Sequence, residues 1–136
     1  MRTKRIRKTR KGEKGQNLVE FALVIPLLLL LVIGIAEFGR AWMTKNILTG
    51  AAREAVRIMA VQTGDVTTAT ARADNILNSA GITTGYNISI PPASVAFDPV
   101  SVTVTYQFPV LIAGFIPGLD CNTITLSSTT TMRREY

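Results

Sequence analysis

Histidine is absent from the sequence, and cysteine occurs once, at Cys121. A catalytic histidine, a Cys/His metal cluster and an intrachain disulfide are therefore excluded, leaving the lone thiol only a bridge to another chain. Aromatic residues are few, 7% of a chain that is 47% hydrophobic, so the apolar content must be concentrated somewhere. With no nucleophile and base or metal constellation in view, and no cofactor motif, the chain is not expected to be an enzyme.

The net charge of +6 suggests nucleic acid until the charges are placed. Eight of the fifteen Lys and Arg residues lie in the first fourteen positions: Arg2, Lys4, Arg5, Arg7, Lys8, Arg10, Lys11 and Lys14. From Gln16 onward seven basic residues meet eight acidic ones, a formal charge of −1. Basicity thus belongs to a leader with no aromatic residue and almost no apolar content to fold around, which offers no base readout. Anionic lipid, not nucleic acid, is its expected neighbour.

The apolar content is found at Leu18 to Ala36, a run of 19 residues interrupted only by Glu20, Pro26 and Gly34. At about 1.5 Å per residue it spans about 28 Å as a helix, close to the ~30 Å hydrocarbon core of a bilayer. Phe21, Leu23, Val24, Ile25, Pro26, Leu27, Leu28, Leu29, Leu30, Leu31, Val32 and Ile33 form the expected membrane anchor, with Pro26 shaping the helix. Basic residues before the span keep the N-terminus in the cytoplasm and send the rest across.

Beyond the span the sequence predicts an α+β fold. The long helix continues through residues 37–64, with Ile47, Leu48, Ala51, Ala52, Ala55, Ile58 and Met59 recurring at three and four and Gly64 as its stop. Glu37 with Arg40 and Glu54 with Arg57 are spaced as ion pairs. Gly50, Ala51, Ala52 and Ala55 read as a close helix-packing surface. Asp65 caps a second helix through about Ala80, ending at Gly81. Alternation over Val100 to Phe108 and over Ile124 to Met132, with a shorter candidate at Tyr86 to Ile90, predicts an antiparallel sheet of about three strands. Pro109 to Asn122 reads as a covering loop, and Asp65, Asp74, Asp98 and Asp120 as cap or turn residues. The expected organisation is a leader at 1–15, a transmembrane helix at 16–36, its continuation at 37–64 and a small extracytoplasmic domain at 65–136.

The junction of leader and helix carries the chemistry: Lys14, Gly15, Gln16, Asn17, Leu18, Val19, Glu20, Phe21. An acidic residue in a span costs on the order of 2 to 3 kcal/mol at mid-bilayer and less near the surface, so Glu20 calls for a partner. A cut after Gly15 creates one, a positive amine on Gln16 one helical turn before the carboxylate. This arrangement resembles the class III and type IV prepilin signal. Gly15 to Trp42 further resembles the N-terminal segment of TadE-like pseudopilins of the tight-adherence, or Flp-type, pilus system. Asn46 to Arg57 (NILTGAAREAVR) and Thr131 to Glu135 (TMRRE) extend the resemblance to roughly half the chain.

The resemblance implies processing at Gly15 and Gln16 by a prepilin peptidase, which needs an unhindered glycine, and an assembly role for Glu20 as partner of the new amine. It implies a single-pass protein of the bacterial inner membrane whose partners are other pseudopilins, the major pilin and the assembly platform. The major Flp pilin is usually much shorter and has tyrosine after the glutamate. Phe21 and the domain of about 100 residues favour a minor pseudopilin acting in pilus assembly or initiation. Two rivals keep the fold and change the processing: an uncleaved anchor presenting a binding module, and ordinary signal cleavage after the Gly34/Ala36 small-residue pair.

Overall fold

The computed structural model describes residues 13–61, 65–91, 98–111 and 122–134. Helix α1 runs Glu13–Val61 and helix α2 runs Val66–Ser79. Strands β1 (Tyr86–Ser89), β2 (Pro99–Pro109) and β3 (Thr123–Arg133) follow. The predicted α+β class, with one long helix, one short helix and three antiparallel strands, is the architecture observed. Basic residues 1–12, Gly64, the loop residues 112–121 with Cys121 and Asp120, and the last two residues lie outside the described residues.

One difference concerns the leader, expected to be without structure through Gly15: its last three residues, Glu13 to Gly15, are helical. Helix propagation explains this, because once the apolar stretch has nucleated, each further residue fixes one backbone unit for one hydrogen bond.

The chain divides into two units, Met1–Ala36 and Glu37–Tyr136. In the first, the described part is helix, and its large side chains lie open: Leu18, Phe21, Leu23 and Leu27 are all at least 64% exposed. Pro26 sits inside the helix.

The second unit has a core. Helix α1 gives it Leu48, Ala51, Ala52, Ala55, Val56 and Met59, α2 gives Ala69, Ala73 and Leu77, and β2 gives Val100, Val102 and Val104. The helical residues recur at three and four and the strand residues at two, which puts each set on one face of its element. Alanine at the centre of the helical faces lets backbones approach closely, while the β-branched valines fill the pleated surface. These are the packed faces of two layers, helices against sheet.

Local signals set the ends of α2. Asp65 is its N-cap: the carboxylate accepts from the Thr67 amide at 3.0 Å and from the Thr68 hydroxyl. At the other end Gly81 adopts φ +81°, its amide donates to the Asn78 carbonyl at 3.0 Å, and the Ile82 amide donates to Leu77 at 2.9 Å. This is a Schellman closure, in which glycine takes the left-handed position and the apolar pair Leu77 and Ile82 goes into the core.

The sheet order is β1-β2-β3, antiparallel throughout, with Val104 opposite Ile88 on one side and Ser128 on the other. Central β2 shows the predicted alternation, with Val100, Val102, Val104 and Phe108 buried. Strand β3 does not bury its predicted apolar face to the same degree: Ile124 is 52% exposed, Met132 is 36% exposed, and only Ser128 is buried. The reason is its place at the sheet edge, where one side lacks a neighbouring strand among the described residues. Thr49 on α1 donates its hydroxyl proton to the Lys45 carbonyl at 2.9 Å, so the Ser128 hydroxyl, 2.9 Å away, donates to the Thr49 oxygen and is satisfied.

Two further expectations are corrected. Glu54 pairs with Arg72 of α2 at 3.5 Å rather than with Arg57, because the fold brings a second helix alongside and an ion pair between elements replaces one along the helix surface. Asp74 lies within α2, not in a turn; it holds the Tyr86 phenol above its ordinary pKa, chiefly through a hydrogen bond, with desolvation adding to the effect.

Candidate functional site

Gly15, Gln16 and Glu20 all lie on α1 and all are exposed. Gln16 and Glu20 are four residues apart, which places them one above the other on a helix face, about 6 Å apart along the axis. The Glu20 carboxylate has no hydrogen-bond or charge partner among the described residues. A methyl group added at Gly15 would meet nothing within 4 Å, and its backbone φ is not in the left-handed range. Nothing among the described residues thus asks for glycine at this position, although glycine inside a helix costs roughly 0.5–1 kcal/mol relative to alanine. The residues at 21 to 33 named as the anchor are all exposed and face no core among the described residues.

The proposed packing residues divide. Ala51, Ala52 and Ala55 are fully buried in the core of the second unit. Gly50 is exposed and lines a shallow groove with Ile47, Arg72, Asn75, Ile76, Ser79 and Ala80.

At the start of the second unit lies a cluster that sequence reasoning found only in part. Glu37 and Arg40 form the predicted pair, with Oε2 2.9 Å from Nη1. The other carboxylate oxygen, Oε1, accepts the Leu111 amide at 2.9 Å. The Arg40 guanidinium lies 5.0 Å from the centre of the Phe108 ring, within the range of a cation–π contact. Leu111 follows the end of β2, and the base of the β2–β3 connection is closed by the Val110 amide donating to Asn122 at 3.0 Å. Phe38 and Trp42 stack on one another with ring centres 6.2 Å apart. The spacing of Glu37 and Arg40 was a visible signal; the partners Leu111 and Phe108, more than sixty positions away, had none.

The class that fold and site define is an N-terminal helix long and apolar enough to cross a membrane, continued into a small α+β domain. A family model described as TadE-like protein matches residues 15–57. The match covers Gly15 to Trp42 with its apolar run and the Asn46 to Arg57 block, so the first two blocks of the resemblance are TadE-like, while the third, at Thr131 to Glu135, lies outside it. It supports a protein associated with the Tad pilus. No curated protein and no solved structure matches the chain.

Proposed function

We propose that the chain is a minor pseudopilin of a tight-adherence pilus, cut between Gly15 and Gln16 by a prepilin peptidase and acting in pilus assembly or initiation. Its basic leader stays in the cytoplasm, the span lies in the inner membrane, and the α+β domain is extracytoplasmic. The work is done by helix packing against other pseudopilins, the major pilin and the assembly platform, with no reaction of its own and no cofactor.

The observation that carries this reading is the pairing of two otherwise unexplained residues inside the TadE-like segment. Gly15 has open space around it, and Glu20 has no partner among the described residues. Cleavage accounts for both: the peptidase requires the bare backbone, and the amine it creates on Gln16 neutralises a carboxylate one turn away. Mass spectrometry of the mature N-terminus tests the cut directly, with Gln16 expected as the first residue. In the Glu20→Ala variant cleavage should persist while pilus assembly falls, because the carboxylate serves packing and the glycine serves the peptidase; normal pilus output would remove Glu20 from the account.

A second reading, an uncleaved anchor presenting the domain as a binding module, is favoured by one feature: α1 begins before Gly15 and passes through it without a break. An intact Met1 or Arg2 end on membrane-extracted protein would establish it.

A further inference from the structure

The stretch just past the apolar run keeps its large apolar side chains out of the core. Phe38, Trp42 and Met43 are 69%, 62% and 66% exposed, although each belongs to the unit that has a core, and Leu111 is 61% exposed. Successive helical residues turn by about 100°, so taking Glu37 as the origin, Phe38 and Trp42 lie about 100–140° round the helix and Met43 about 240°. Leu111 occupies the remaining side, since its amide is bonded to the Glu37 carboxylate. The exposed apolar groups therefore surround α1 at one level instead of marking one face.

That distribution separates two kinds of partner. A protein docks on one side of a helix and asks for a stripe; a lipid layer surrounds it and asks for a ring. The ring's depth also fits lipid: Phe38 to Met43 rises about 7.5 Å, and a bilayer's headgroup region is about 5–8 Å deep on each side. Its charges fit as well. Glu37 and Arg40, the two ionisable residues between Ala36 and Met43, neutralise each other, with Arg40 also lying over Phe108. Aromatic rings are favoured at this depth, where one edge is apolar and the other wet.

We propose that Phe38, Trp42, Met43 and Leu111 form a phospholipid-contact ring, so that the part of the domain around Phe108 and Leu111 rests in the headgroup layer that follows Ala36. Glu37 is its positioning residue, fixing the chain at Leu111 against the helix at the level of the aromatic pair. The proposal rests on reading Leu18 to Ala36 as a membrane span, but not on cleavage or on a pilus.

Trp42 is the sole tryptophan, so its fluorescence reports the ring directly. The test uses the full chain reconstituted in phosphatidylcholine and phosphatidylglycerol vesicles, first washed with carbonate to establish insertion. Loss of the chain at that wash would defeat the span itself. With insertion established, acyl chains brominated near the carbonyl should quench Trp42 severalfold more strongly than aqueous acrylamide does. The double variant Trp42→Phe, Leu111→Trp moves the probe to the domain's side of the ring, at an exposed position whose enlargement disturbs no core, and should behave the same way. Strong acrylamide quenching at either position in inserted protein would overturn the ring, and so would a tryptophan shielded from both quenchers, which would indicate a second protein chain as the occupant.

Discussion

Two stretches of the same helix, Leu23 to Ile33 and Leu48 to Ala60, both carry many apolar residues and meet opposite surroundings. In the first, Leu23 is 74% exposed and Leu28 57%; in the second, Leu48, Ala52 and Met59 are fully buried. Apolarity alone therefore does not say what covers a helix. The difference lies in side-chain size and arrangement. The first stretch is built from large residues on every side, which suits a fluid apolar solvent with no fixed shape. The second concentrates alanines on one face, which lets a helix sit close to a rigid sheet and a second helix.

The largest effect that would test this contrast is charge in the first stretch. Leu27→Arg with Leu31→Arg adds about 2.5–3.5 kcal/mol per residue to insertion at the helix centre, enough for the chain to leave carbonate-washed membranes. Retention of the double variant would show that the stretch is covered by protein. Next comes size. Ala52→Leu forces extra methylenes into the packed core and should lower the domain's unfolding free energy in detergent by about 1–3 kcal/mol, whereas Ala22→Leu in the exposed stretch should leave it unchanged. Equal effects at the two sites would erase the distinction between them.

Smaller effects sharpen the description of the buried region. Thr49→Val and Ser128→Ala each remove the bond between the two hydroxyls, and the double-mutant cycle should return a coupling of about 1 kcal/mol; additive losses would mean that the two hydroxyls act separately. The smallest effect is a pH dependence at α2. Hydrogen bonds from the Thr68 side chain and backbone, and then from Thr67, hold the Asp65 carboxylate below its ordinary pKa. A depressed folded-state pKa contributes stability that is present above the unfolded value, about 4, and lost as pH falls through the folded value. Amide exchange in α2 should accordingly gain an acid-sensitive component that Asp65→Ala lacks.

The elements were legible where a local signal marked them. Asp65 before Val66 and Gly81 after Ala80 delimit α2 because capping is chemistry between near neighbours. The alternation of Val100, Val102 and Val104 marks β2 because one face of a central strand must be apolar. The same alternation in β3 was visible, but its exposure was not, since the position of a strand within a sheet is not written in its own pattern. Glu54 illustrates the limit from the other direction: Arg57 was the neighbour in sequence, and Arg72 is the neighbour in space. The spacing of Gly15 and Glu20 could be read in advance because both lie on one helix, within two turns of each other.

The sequence by itself determined the apolar run long enough to span a bilayer, the helix caps, the strand periods and the spacing of glycine and glutamate, all of which act over a few residues through backbone geometry and local transfer of apolar groups. Only the tertiary structure decided that Thr49 meets Ser128, that Arg72 answers Glu54, and that Glu37 holds the chain at Leu111. These contacts join positions far apart in the chain, and their partners are chosen by which faces the packed core leaves side by side.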